Sequence, residues 1–139
     1  MLAKISIATL VKKNLLDTWS AYTNPKDIII WNAASIDWHT TEVTIDFQVG
    51  GKFNFRMEAK DGSFGFDFCG TYTQIIPQQL IAYTIDDSRN VIVHFETAEE
   101  NNTQITIDFE AENQNPLEQQ QQGWQAILDN FKKHVENKA

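Results

Sequence analysis

Between residues 43 and 109 the apolar side chains recur at every second position, and beyond residue 116 they recur at every third or fourth. Alternation marks strands with one buried face; the wider spacing marks an amphipathic helix. Phe53, Phe55, Met57 and Ala59 alternate with Asn54, Arg56 and Glu58. Phe64, Phe66, Phe68, Gly70 and Tyr72 alternate with Gly65, Asp67, Cys69 and Thr71. Val91, Val93 and Phe95, then Ile105, Ile107 and Phe109, repeat the pattern. Lys60-Asp61-Gly62-Ser63 reads as a tight hairpin, and polar runs at 76–79, 86–90 and 99–102 supply further turns. With Ile5, Ile7 and Thr9, Val43 to Phe47 and Leu80 to Ile85, the count reaches seven strands. Turns this short force antiparallel neighbours.

An antiparallel sheet with one apolar face needs a cover. The long C-terminal helix, expected at about 116–136, is the only element of sufficient length. About 21 helical residues span roughly 31 Å. Leu117, Gln121, Trp124, Leu128, Phe131 and Val135, widened by Ile127, give its inward stripe. Gln120, Gln122, Asp129, Lys132, Lys133 and Glu136 fall on the opposite face, so the Gln119–Gln122 run reads as helix surface. Shorter helices are expected at about 15–22 and 25–31. Asn14, Asn24 and Asn115 have the chemistry of N-caps, with Pro25 and Pro116 as first helical residues. The expected class is α+β: strand, two short helices, six strands, one long helix. No linker or repeat divides residues 1–139, which read as one domain with a curved sheet gripping the last helix.

Composition narrows the function classes. Eleven basic and 19 acidic residues leave a net charge of −8, which repels phosphate backbones and anionic lipid. Neither a nucleic acid nor a membrane is expected as partner. The N-terminal apolar residues alternate with Lys4 and Ser6, unlike a signal peptide, and no run approaches the roughly 20 residues of a membrane span. Cys69 is the only cysteine, which excludes an internal disulfide and fits a cytoplasmic setting. Asn101-Asn102-Thr103 matches a glycosylation sequon and reads as a polar turn.

Nine residues form the expected inner wall between sheet and helix: Trp31, Phe55, Met57, Phe66, Phe68, Tyr72, Phe95, Trp124 and Leu128. Aromatics pack cores by default, so the stripe reads as plain core packing or, because one helix cannot fill a curled sheet, as the wall of a pocket. The polar candidates have structural readings. No two histidines share metal-ligand spacing, so no metal or other cofactor is expected. His94 lies on the polar phase of its strand, and His134 complements a helix C-terminus. His39, in an irregular stretch beside Trp38, is placed near the cavity mouth. Cys69 alternates with Phe68 and should face outward, without a neighbouring base. Gly50-Gly51 belongs to no phosphate-loop motif and reads as a bend before a strand. Arg56 should pair across the hairpin with Asp67. The Gly65, Asp67, Cys69 and Thr71 face could be solvated or serve a homodimer.

Several stretches resemble START-like (SRPBCC) domains. Trp19 to Trp31 (WSAYTNPKDIIIW) resembles the family's W-x-x-x-T-x-P-x-x-x-x-x-W opening. Phe47 to Phe53 looks like its V-G-G-x-F entry into the third strand, and Gly70-Thr71-Tyr72 with Ile75-Ile76-Pro77 and Leu80 to Tyr83 resembles its G-x-Y-x-E-I-x-P-x-x-L-x-Y segment. Gly123 to Phe131 resembles the closing helix. Gln74 stands where that pattern has an acid, and Asn32 to Thr40 departs from the segment in which many relatives carry a second tryptophan. Together the motifs are most similar to the activator of heat-shock ATPase homologue branch. The resemblance implies a helix-grip fold with an apolar cavity under its long helix. It also implies three functions. First is binding of an apolar or aromatic small molecule. The second is co-chaperone action on a heat-shock ATPase. The third is polyketide cyclase-like catalysis, which would need a buried Asp37, His39 or Asp46. No catalytic residue is named, and the reading leans towards a binder rather than an enzyme.

Overall fold

The computed structural model describes residues 2–138, so Met1 and Ala139, the ends of the expected 1–139 domain, lie outside the described residues. Strand β1 (Lys4–Val11) is followed by helices α1 (Leu15–Thr23) and α2 (Pro25–Trp31). Six strands come next: β2 (Trp38–Ile45), β3 (Lys52–Ala59), β4 (Gly65–Ile76), β5 (Leu80–Ile85), β6 (Asn90–Ala98) and β7 (Asn102–Glu110). Helix α3 (Leu117–Glu136) closes the chain. All strand pairs are antiparallel in one sheet of order β1-β7-β6-β5-β4-β3-β2. This is the sheet-and-helix arrangement expected from the alternation, and the helix-grip fold implied by the resemblance. Register shifts between Thr40 and Glu42 in β2 and between Tyr72 and Gln74 in β4 each insert an extra residue. Such bulges increase local twist and help the sheet curl.

Caps and turns follow the local chemistry. The Asn14 side chain accepts from the Asp17 N–H at 2.8 Å, and that of Asn24 from the Lys26 N–H at 3.0 Å. Arg56 sits opposite Asp67, with its guanidinium 3.5 Å from that carboxylate and 3.0 Å from Glu58. Gly50 adopts φ +85°, and a Cβ on Gly51 would lie 2.1 Å from the Asp46 carbonyl oxygen. This bend therefore requires both glycines. Through it, Gly50 N–H donates to the Tyr72 carbonyl and Tyr72 N–H to the Gly51 carbonyl, at 2.8 and 2.9 Å. The bend thus fixes Tyr72 in the wall.

Three local expectations are corrected. Residues 38–40 belong to β2, because Trp38, His39 and Thr40 pair with Ala59, Glu58 and Met57. Asn115 does not cap α3; Pro116 occupies that position, and no side-chain cap bond forms. Gln120 is buried, whereas Leu117 and Gln121 are exposed, Leu117 by 50%. The first turn of α3 faces the 112–115 loop rather than the sheet. There Gln120 accepts from Glu112 N–H at 2.9 Å and donates to the carbonyls of Glu112 and Asn115 at 3.1 and 2.8 Å. A glutamine in an apolar position thereby satisfies loop groups that burial would otherwise orphan.

Helix α3 lies closest to the backbone of β1 and against α1 and α2. Its side chains also cover the free edge of β1: Gln125 donates to the Ala8 carbonyl and Lys132 to the Leu10 carbonyl, while Glu136 accepts from Lys12 N–H. Covering an unpaired edge removes a template for strand addition. At the same C-terminal end, buried Asp27 of α2 receives His134 and Lys138 at 2.8 and 2.7 Å. Helix α3 is therefore held at the β1 side of the sheet. Over β3 to β5, contact is left to long side chains. None of the described helices is long and apolar enough to cross a membrane.

Candidate ligand cavity

Where α3 stands away from β3, β4 and β5, a partly open cavity of about 300 Å³ lies between them. Its wall includes Trp31 from α2, Phe55 and Met57 from β3, Phe66, Phe68 and Tyr72 from β4, and Trp124 and Leu128 from α3. Phe66 is 41% exposed and stands at the rim. Phe95 is in phase with these residues but does not line the space. It is buried beneath α1, with ring centroids 5.0 Å from Trp19 and 5.4 Å from Tyr22.

Alternation explains the wall of the sheet. Phe53, Phe55 and Met57 present one face of β3, and the register sets Phe55 opposite Phe68 and Met57 opposite Phe66. The phenylalanine rings meet tilted, at 5.2 Å for Phe53–Phe55 and 6.2 Å for Phe55–Phe68. On the helix side Trp124 stacks on Phe109 at 4.1 Å and reaches Phe68 edge-on at 6.1 Å. These rings touch across the gap without filling it. The edge-on contact is one of the favourable aromatic geometries.

Polar groups interrupt this surface at a few points. Tyr22, Tyr83, Arg89, Asn32, Gln120 and Glu112 also line the cavity, and the sequence reading did not select them for it. Tyr83 carried a usable signal, because Ile81, Tyr83 and Ile85 alternate in β5. Burial pushes the phenols of Tyr22, Tyr72 and Tyr83 well above their ordinary value, so all three are neutral donors at pH 7. Asn32 is anchored, donating to the Thr40 hydroxyl at 3.1 Å while that hydroxyl donates to its carbonyl at 2.5 Å. The Glu112 carboxylate is occupied by the backbone N–H groups of Gln114 and Asn115 and by the Asn115 amide.

The remaining candidates lie elsewhere. His39 is exposed on β2, off the cavity wall, as are Asp37 and Asp46. His94 faces Asp108 at 3.5 Å, and His134 holds Asp27. Cys69 donates to Asp86 at 2.8 Å, and that carboxylate, with burial, pushes the thiol up to about 11. A thiol held in this form is a poor nucleophile at pH 7. Among the described residues no group of His, Cys, Asp and Glu is arranged to hold a metal ion.

Known proteins share this architecture. The AHSA1-like protein of Aeromonas hydrophila, solved by NMR, is 46% identical, with a TM-score of 0.89 over 96% of this chain and 92% of that one. A Cytophaga hutchinsonii protein is 41% identical, with a TM-score of 0.83 and the same coverage. A Chromobacterium violaceum protein has a TM-score of 0.83 over 98% of this chain and 99% of that one; at 19% identity it shows the fold alone. No curated protein matches the sequence significantly. Residues 15–136 match the family described as Activator of Hsp90 ATPase homolog 1-like protein. That span takes in both short helices, six of the seven strands and all of α3. The chain belongs to the Activator of Hsp90 ATPase homolog 1-like family, within the START-like superfamily.

Proposed function

We propose that this protein binds a small apolar or aromatic molecule in the cavity between the sheet and α3. The observation that carries this reading is the cavity itself: about 300 Å³, walled by aromatic rings with a few convergent polar groups. That volume lies at the lower end of the range of small-molecule sites. The family's description names an activator of the Hsp90 ATPase. On this chain a co-chaperone role rests on that name and on an acidic surface, whereas ligand binding has a built space. A cyclase would need an acid or base free to move a proton inside the cavity, and Asp37, His39 and Asp46 are exposed away from it.

Isothermal titration with the uncharged aromatic 2-naphthalenemethanol tests the reading. The wild-type chain should bind it at one site. Ile127, half-buried on α3, lines the cavity. Ile127→Trp should fill part of the space and weaken binding at least about tenfold, with the thermal transition still cooperative. Equal affinity in both proteins would place the probe elsewhere and count against a cavity site.

A further inference from the structure

Three tyrosines and one arginine are among the polar residues of the cavity's mostly aromatic and aliphatic wall. Tyr22 comes from α1, Tyr72 from β4, Tyr83 from β5 and Arg89 from the turn between β5 and β6, and all four line the cavity. Tyr72 and Tyr83 are paired directly across the β4–β5 ladder, with ring centroids 6.5 Å apart. An ionised Tyr72 would oppose ionisation of Tyr22, and ionised Tyr22 and Tyr72 would oppose that of Tyr83 while Arg89 favours it, so these groups lie within electrostatic reach of one another.

None of the three hydroxyls has a hydrogen-bond partner among the described residues; burial and neighbouring charge alone move their ionisation. Among the described residues the sealed, partnerless side-chain polar atom is Asn54 Oδ1. The three hydroxyls are therefore not sealed, and the residues that carry them line the cavity. Arg89 is held by its Nε, which donates to the Asp87 carboxylate at 2.8 and 3.0 Å. Its side chain is 14% exposed against 52% for Asp87, so Asp87 is the solvent-facing member of the pair. Among the described residues its terminal nitrogens have no acceptor. The one carboxylate in the wall, Glu112, is taken up by loop donors.

Largely buried guanidinium donors without acceptors are unfavourable, and an anionic oxygen that meets them beside the open hydroxyls repays this with charge-assisted bonds. We propose that Tyr22, Tyr72, Tyr83 and Arg89 form an oxyanion-binding end of the cavity. Its ligand is an aromatic carboxylate whose rings lie against Phe53, Phe68 and Trp124. This rests on the cavity being a ligand site, and it assigns the chemical class of that ligand.

Titration of the full chain at pH 7 with 2-naphthoate and with 2-naphthalenemethanol separates the two ideas. The acid should bind at least about tenfold more tightly than the alcohol. Tyr83→Phe and Arg89→Gln should each weaken the acid about tenfold to a hundredfold, the value of a hydrogen bond to a charged group, while the alcohol changes little. Thermal unfolding confirms that each variant is folded; if Arg89→Gln is not, Tyr72→Phe takes its place. Equal binding of acid and alcohol, or parallel losses for both in the variants, overturns the oxyanion end and leaves the apolar site standing. Binding of neither probe overturns both.

Discussion

Replacing Phe131 with alanine is expected to lower stability by about 3–5 kcal/mol, the usual cost of emptying a fully buried aromatic position. Phe131 is completely buried on α3, edge-on to Tyr22 at 5.1 Å and to Trp31 at 5.0 Å. One ring thus joins α3 to α1 and α2, and its loss leaves a void that three elements must share. A domain of this size loses roughly 2–8 °C of Tm per kcal/mol, so the thermal transition should fall by at least about 6 °C. Leu117→Ala on the same helix, at a half-exposed position, should stay within about 0.5 kcal/mol. Similar losses from the two substitutions would show that α3 is not anchored as described.

Removal of Asp27 should have the next largest effect. Its carboxylate is buried at the α2–α3 contact, 2.8 Å from His134 and 2.7 Å from Lys138. Burial alone would raise its pKa. The hydrogen bonds and charges of Lys138 and His134 outweigh that and hold it below the ordinary aspartate value. Asp27→Ala leaves His134 and Lys138 without their shared partner. Lys138 can return to water, which moderates the loss to about 2–4 kcal/mol. The sign of the pH dependence follows from the depressed pKa. The ionised form is favoured in the folded state, so its contribution is fully present above the unfolded value near 3.9 and disappears as pH falls through the lower folded value. Urea titrations should therefore show a gap between wild type and Asp27→Asn that is constant from about pH 5 to 7 and narrows below about pH 4. A gap as wide at pH 3 as at pH 7 would mean that charge is not the source of the interaction.

Local chemistry made much of the fold legible. Period-two alternation located the strands, because each has one face on the core. Asn14 and Asn24 marked helix starts, because their side chains serve N–H groups only a few residues away. Asn115 failed as a cap because Glu112 and Gln120 organise that loop, an arrangement made across the loop–helix junction. Gln120 itself carries no sequence mark of burial. The alternation of β6 put Phe95 on the inner face but could not tell which part of that face α1 covers. Tyr22 and Arg89 reach the cavity only through helix placement and the β5–β6 turn, where Ser88 takes φ +78°. Tertiary geometry, rather than spacing, sets those positions.

The space under α3 should admit a molecule from solution. Two-dimensional NMR of the labelled chain during titration with 2-naphthalenemethanol tests it most directly. The indole of Trp124 and the methyl groups of Ile81, Ile107 and Leu128, which border the cavity, should shift together and saturate at one stoichiometric site, with Ile36 and Val49, exposed outside it, unmoved. Shifts confined to exposed residues, or none at saturating probe, would contradict the account.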